Sequence, residues 1–131
     1  MPIYQDIAPP APKTFEAQVA VVHNRFVKLG TVGNSVTPCT AITDRAIGIA
    51  VESADPAAGN AAASVWLLNE GGIVPIEAAA AIALGAKIAP SVNGRGQTAV
   101  ATNFACGVAL VASTAAGQVI PMLVAVDDQA T

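Results

Sequence analysis

Catalysis needs a reactive group held beside a partner, and this chain offers few such groups. His23 is its one histidine, and so the one side chain whose ordinary pKa lies near neutrality. A nucleophilic triad would place it beside a serine or threonine and an orienting acid. Serine and threonine are plentiful, yet no Gly-x-Ser-x-Gly elbow occurs. Next to Asn24 in a strand-like stretch, His23 reads as a surface or interface residue. Cys39 and Cys106 stand 67 residues apart, with no CxxC spacing and no neighbouring histidine. They read as free, small hydrophobes in a reducing setting, not as a disulfide or a zinc pair. Asp127-Asp128 is the one adjacent acid pair and falls in a polar tail. Nine acids make some carboxylate pair inevitable, so a glycosidase reading has no specificity. Asn93-Gly94-Arg95-Gly96 is Gly-rich and basic, but it lacks the lysine and the following helix of a phosphate loop, and it reads as a hairpin tip. Trp66, running into Leu67 and Leu68, reads as core. The expectation is a protein without enzymatic activity, metal or cofactor.

The composition points the same way. Of 131 residues, 53% are hydrophobic but only 4% aromatic and 11% charged. An ordinary domain carries about 25% charged residues, so much of this surface must be small apolar or neutral polar groups. Such a surface tends to meet other protein. The net charge is −3, and the six cations are spread along the chain. Nucleic acid would need several of them on one face, so it is not an expected partner. No apolar run reaches the ~18 residues of a membrane span, and the first residues lack a secretory pattern; no membrane role and cytoplasmic synthesis are expected.

These residues must be held by mainly β structure. Residues 1–14 form an extended arm, with Pro2, Pro9, Pro10 and Pro12 opposing helix and central strand alike. Ile3, Tyr4 and Ile7 put apolar side chains on it, suited either to docking on another subunit or to folding back on the chain's own domain. Residues 15–126 read as a single β-rich domain, and residues 127–131 as a loose tail. Short β-branched runs alternate with turn signals at Asn24, Gly33-Asn34, Gly59-Asn60, Gly71-Gly72 and Asn93-Gly94. That spacing predicts a small β-barrel or sandwich. One exception is expected: Glu77 followed by an alanine tract and Gly85 predicts a short helix over about 77–84.

The chain also repeats itself. Residues 46–51 read Ala-Ile-Gly-Ile-Ala-Val and residues 105–110 read Ala-Cys-Gly-Val-Ala-Leu. Ala57-Ala58-Gly59 follows the first and Ala115-Ala116-Gly117 the second, while Leu29-Gly30 and Leu84-Gly85 precede them. This internal pseudo-repeat predicts two similar strand-and-turn units building one barrel. Gly30, Gly48, Gly85 and Gly107 then serve the backbone and not a ligand.

Arg25-Phe26-Val27-Lys28-Leu29-Gly30, Thr43-Asp44-Arg45-Ala46-Ile47-Gly48-Ile49-Ala50, Ala81-Ile82-Ala83-Leu84-Gly85-Ala86-Lys87-Ile88, Gly94-Arg95 and Gly107-Val108-Ala109-Leu110, with the two Ala-Ala-Gly turns, give a pattern over roughly residues 15–126. It resembles the cement, or head decoration, proteins of tailed-bacteriophage capsids. The resemblance implies a β-rich structural protein on the exterior of an icosahedral virion. It implies homodimers or homotrimers that bind the expanded shell and bridge neighbouring subunits of the major capsid protein, with no chemistry performed. The arm with Ile3, Tyr4, Ile7, Pro9, Pro10 and Pro12 is the candidate for capsid or subunit contact. Other readings are a tail or fibre component, or a small β-barrel module that binds carbohydrate or peptide.

Overall fold

A computed structural model describes residues 8–100 and 104–127. Ile3, Tyr4 and Ile7 of the arm, and the end of the tail, lie outside the described residues.

The described residues form ten strands, β1 (Lys13–Ala17), β2 (Phe26–Leu29), β3 (Ser35–Pro38), β4 (Gly48–Ala50), β5 (Ala62–Leu67), β6 (Ile73–Glu77), β7 (Lys87–Pro90), β8 (Gly96–Thr98), β9 (Ala105–Ala109) and β10 (Val119–Asp127). The first five close into a barrel in the order β1-β3-β2-β4-β5. The last five form a sheet in the order β6-β10-β9-β7-β8. The fold is therefore mainly β, as the turn spacing predicts.

The second sheet is the first one told again. β1 pairs antiparallel with β5, and β6 with β10. β4 lies between β2 and β5, and β9 lies between β7 and β10. The registers correspond as well: Gly48 faces Val27 and Leu67, and Gly107 faces Ile88 and Val124. Barrel closure is a parallel ladder between β1 and β3, Glu16 to Ser35 and Ala17 to Val36. Its counterpart is a single parallel bridge from Ala78 to Gly96. Gln18 N–H donates to the Val36 carbonyl at 2.9 Å, and Ala79 N–H to that of Gly96 at 2.8 Å. Outside the strands, Val21 bridges Ala54 just as Ile82 bridges Ser113. The first unit is thus a closed barrel, and the second is a five-stranded sheet rolled into the same shape, its edges meeting at that single bridge; the two do not build one barrel together.

The helix expected at about 77–84 does not form. Eight residues are too few to hold a helix on alanine propensity alone. The tertiary contacts use the same amides otherwise: Ala78 N–H donates to Gln118, Ala79 to Gly96 and Ile82 to Ser113, all through backbone carbonyls. Ser113 Oγ also accepts from Ile82 N–H and donates to the Ala80 carbonyl, each at 2.9 Å. Ala78 and Ile82 are buried inside the second unit. Of the tract, Ala78 is buried at the closing seam, whereas Ala80, Ala81 and Ala83 are exposed.

Leu29-Gly30 and Leu84-Gly85 are also not counterparts, since the first pair ends β2 and the second precedes β7. Gly85 corresponds to Asn24. Both have positive φ, 81° and 62°, and their N–H groups donate to the ninth and fourth strands, at Ala109 and Ala50, each at 2.9 Å. Asparagine and glycine share the left-handed region that other side chains avoid.

Each barrel has its own filling. The first holds Ala17, Val21, Val27, Val36, Ala50, Ala54, Ala63 and Val65. The second holds larger side chains at matching places, Ile82 for Val21, Ile88 for Val27, Ile120 for Ala63 and Met122 for Val65. Gly96, at the place of Val36, offsets them: a Cβ there would sit 2.9 Å from Ile88 Cγ2 and 3.0 Å from Ile76 Cγ1. Equal filling of equal volume by different residues is the ordinary tolerance of a packed core. The second core continues into the flank of the first barrel through Phe26, Ile49 and Cys39, with Trp66 packed against them. Trp66 is thus part of the core, half-buried at its edge.

Gly48 and Gly107 occupy the centre strand of each unit. A Cβ on Gly48 would strike the Trp66 carbonyl and the Val65 side chain; one on Gly107 would strike the Leu123 carbonyl and Met122. We expect Gly48→Ala and Gly107→Ala each to cost about 1–3 kcal/mol in urea unfolding, the range for overpacking a core. Gly33→Ala, where a Cβ meets nothing within 4 Å, should be close to neutral. Cys39 and Cys106 are free and buried, and burial pushes both thiols up to about 12, with Asp44 adding to the effect at Cys39. At pH 8 the folded protein should therefore react with a disulfide reagent more than ~1,000-fold more slowly than free cysteine. Both thiols should titrate at once in denaturant; rapid native labelling would contradict the packing.

Candidate functional site

The reactive types do not converge. His23 Nδ1 lies 2.9 Å from Ser53 Oγ, and His23 N–H also donates to that oxygen at 3.2 Å. Both residues are exposed, and among the described residues no carboxylate hydrogen-bonds to the imidazole. Cys39 and Cys106 are sealed in the junction between the barrels. Among the described residues no three of His, Cys, Asp and Glu group as a metal cluster would.

The Asn93-Gly94-Arg95-Gly96 segment is a turn, as its residues predict, but it is not a free tip. It presses on the first barrel: Phe26 N–H donates to the Gly94 carbonyl at 2.7 Å. Gly94 is buried there with φ of 81°, and a Cβ on it would stand 3.1 Å from the Phe26 carbonyl. Beside it, Arg25 Nε donates to Glu77 Oε1 at 3.0 Å. Arg95 Nε lies 2.9 Å from Glu77 Oε2 but off the line of a hydrogen bond, so proximity of charge and not a directed bond joins them. Side-chain exposures of 16–27% place this trio at the rim of the junction. It is a joint between barrels with a charge partner for each member. Residue types alone did not reveal it, because Arg25 and Glu77 are 52 positions apart.

What stands open is one end of the first barrel. Phe15, Leu29, Ile47 and Leu67 line a cavity of about 380 Å³, with Arg45, Leu68, Asn69 and Val126 at its edge. Leu29 is 61% exposed and Val126 57%. Alternation along β1, β2 and β5 aims these side chains toward the barrel's mouth, one step beyond the buried Ala17, Val27 and Val65. The Arg45 guanidinium sits 4.3 Å from the centroid of the Phe104 ring, a cation–π distance. The neighbouring turn is held by Asp44, whose Oδ2 accepts from the amides of Thr40 and Ala41 and from Lys28 Nζ at 2.8–3.0 Å. Partial burial opposes its charge, but those amides and Lys28 outweigh it and hold the carboxyl below its ordinary value. The Asp44 contribution is therefore present above the unfolded-state pKa and is lost as pH falls through the lower folded value.

Of the arm, Pro9 and Pro12 are exposed and Pro10 is half-buried. Ala8 exchanges both backbone hydrogen bonds with Ile73, at 3.0 and 3.1 Å. Gly72 makes room for this approach, since a Cβ there would lie 2.6 Å from the Ala8 carbonyl. Lys13 and Thr14 belong to β1. Gly30 occupies a tight site against Gln18 and Ser35, at the turn that follows β2. The open barrel mouth went unseen in the sequence because its lining comes from separate strands whose residues each read as ordinary core.

No functionally curated protein matches the sequence. The crystal structure of the head fiber gp8.5 N base of bacteriophage phi29 shares the fold, with a TM-score of 0.63 at 15% identity, covering 87% of this chain and 92% of that one. A family profile described as phage cement protein matches residues 11–126. That span takes in both barrels, from the residues just before β1 almost to the end of β10, and the chain belongs to the phage cement protein family.

Proposed function

We propose that this virion protein binds the exterior of an icosahedral phage capsid and stabilises the shell by bridging subunits of the major capsid protein. The observation that carries this reading is the pairing of family membership with a surface poor in charge and rich in exposed apolar side chains, among them Val32 at 62%, Val92 at 65% and Leu84 at 69%. A surface of that kind suits contact with protein. Repetition over a lattice turns modest contacts into tight net attachment, so no single strong site is required. In this reading the protein is made in the host cytoplasm, works without catalysis and associates with itself as a homodimer or homotrimer. The arm, with Ile3, Tyr4, Ile7, Pro9, Pro10 and Pro12, reaches a neighbouring subunit.

The fold shared with a head-fibre base supports a second reading, in which this chain is the capsid-bound base of a projecting appendage. Electron microscopy of decorated particles separates the two, since cement lies flat over the shell and a base carries a projection.

Purified protein should co-sediment with expanded empty capsids and raise the temperature at which they rupture; no co-sedimentation would overturn the capsid reading. Removing residues 1–7 leaves the Ala8–Ile73 pairing and β1 intact. It should lower capsid occupancy at least about 10-fold, the effect of losing one or two anchoring side chains. Unchanged occupancy would remove the arm from the contact while leaving attachment itself in place.

A further inference from the structure

The joint between the two units has a crevice beside it that holds hydrogen-bond donors and no carboxylate. Phe26, Ile49 and Trp66 stand in register across β2, β4 and β5 and pack in one cluster with Ile76 and Cys106 of the second unit, filling its mouth. Where that cluster meets the Asn93-Gly94 turn, a crevice of about 220 Å³ stays open. Val22, Phe26 and Pro38 give it apolar walls, while Arg25, Thr40 and Asn93 bring polar groups to it. Among the described residues no aspartate or glutamate lines it.

Two of these polar groups have donors to spare. Asn93 Oδ1 accepts from Ser91 Oγ at 2.7 Å and from Arg95 N–H at 3.2 Å. A backbone N–H must meet the oxygen and not the nitrogen, so the amide's orientation is fixed and its NH2 is left over. Arg25 spends its Nε on Glu77 Oε1 at 3.0 Å, which leaves both terminal nitrogens of the guanidinium. The charge around the crevice is unbalanced as well. Arg25 and Arg95 share the single carboxylate of Glu77, and Arg95 Nε is buried without a directed hydrogen bond. Asp44, which accepts from the Thr40 amide, is already met by Lys28 at 3.0 Å. Three cations, Arg25, Arg95 and Lys28, thus stand against two acids, Glu77 and Asp44, and one positive charge remains.

We propose that this crevice receives an aspartate or glutamate side chain of a capsid subunit, with Arg25 and Asn93 donating to its carboxylate. Charge complementarity selects that occupant. The terminal nitrogens of a guanidinium pair best with a planar carboxylate, through two parallel N–H bonds. The apolar walls favour a carboxylate carried on a side chain over a free ion, because they take water from the ion without replacing its hydrogen bonds. A contact of this kind does more for register and choice of partner than for raw affinity. It therefore complements broad apolar contact, which holds a protein to a shell but does not by itself fix where it sits. The inference rests on the capsid reading above and names the group on the shell that is recognised.

Asn93→Asp tests the contact, because it keeps the oxygen that Ser91 and the Arg95 amide need and replaces the spare donor with a negative charge. Asn60→Asp makes the same change at an exposed turn that does not line the crevice. Asn93→Asp should melt no lower than the parent chain, since its carboxylate supplies the charge that the crevice lacks. It should nevertheless co-sediment with expanded empty capsids at least about 10-fold more weakly, the effect of removing one side of a charge pair at an interface. Asn60→Asp should bind as the parent does. Without capsids, sodium acetate exchanged for sodium chloride at constant ionic strength should shift the Arg25 Nε–H NMR signal of the parent saturably, and that of Asn93→Asp far less. A lower melting temperature for Asn93→Asp would show that no unmatched charge waits in the crevice and would overturn the proposal. Equal loss of capsid binding in both variants would trace the effect to general charge repulsion and overturn it too. Full binding by Asn93→Asp would overturn it while leaving the capsid reading in place. A parent chain that does not co-sediment overturns the capsid reading and with it the capsid subunit as occupant. The acetate titration then decides the crevice alone, a saturable shift keeping it as a carboxylate site and a flat response removing it.

Discussion

Closing a sheet of only five strands leaves very little room inside, and most of the chain's peculiarities answer to that limit. Barrel width grows with strand number, so five strands enclose a space that a few valines and alanines fill. The first barrel is filled by Ala and Val alone, without an aromatic ring in its buried set. This is the physical origin of a composition with 53% hydrophobic but 4% aromatic residues. The same crowding acts on the backbone. At Gly48 and Gly107 the centre strand lies so close to its neighbour that a methyl group would meet the Trp66 or Leu123 carbonyl. At the seam, Ala78 meets Gly96 where a larger pair would hold the edges apart.

A duplicated barrel need not be used twice in the same way. The first unit gives its outer row of Phe26, Ile49 and Trp66 to the second, with Phe26 and Ile49 at 0% exposure and Trp66 half-buried at the edge. The corresponding row of the second unit carries Lys87 in place of Phe26, at a position open to solvent. One flank is thus core, and the corresponding one carries an exposed lysine. The Arg25–Glu77–Arg95 trio locks the internal joint from its rim, where each cation is partly solvated and the carboxylate lies between them. Such a joint sets the angle between barrels more than it adds stability, since partly exposed ion pairs contribute little net energy.

Among the described residues the reactive side chains of this protein stand apart. Its two thiols are buried beyond the reach of base, and its one histidine pairs with a serine in the open. In the proposed reading function rests on surfaces, among them an open barrel mouth and an arm that pairs with Ile73 through Ala8.

The strands, their turns and the paired glycines were legible because they depend on local chemistry. β-branched runs favour pleated backbone, and Asn24, Asn34, Gly59, Gly85, Gly94 and Gly117 mark left-handed turns with residues that tolerate them. The repeat was legible at Gly48 and Gly107 because the same crowding demanded the same residue twice. Its extent was hidden, since the loops differ in length between the copies and the spacing drifts, from Val27 and Ile88 to Leu67 and Val124. The alanine tract misled for a related reason: alanine favours helix when alone, but here the tract's amides bond to distant strands. The sequence by itself determined a β-rich chain built on a doubled unit, because residue type and short-range spacing carry that information. Only the tertiary structure decided that each unit closes on itself, that one flank is core and its twin is surface, and that one mouth is filled and the other open. Those outcomes depend on contacts between residues tens of positions apart, whose side chains look alike until packing assigns them an inside and an outside.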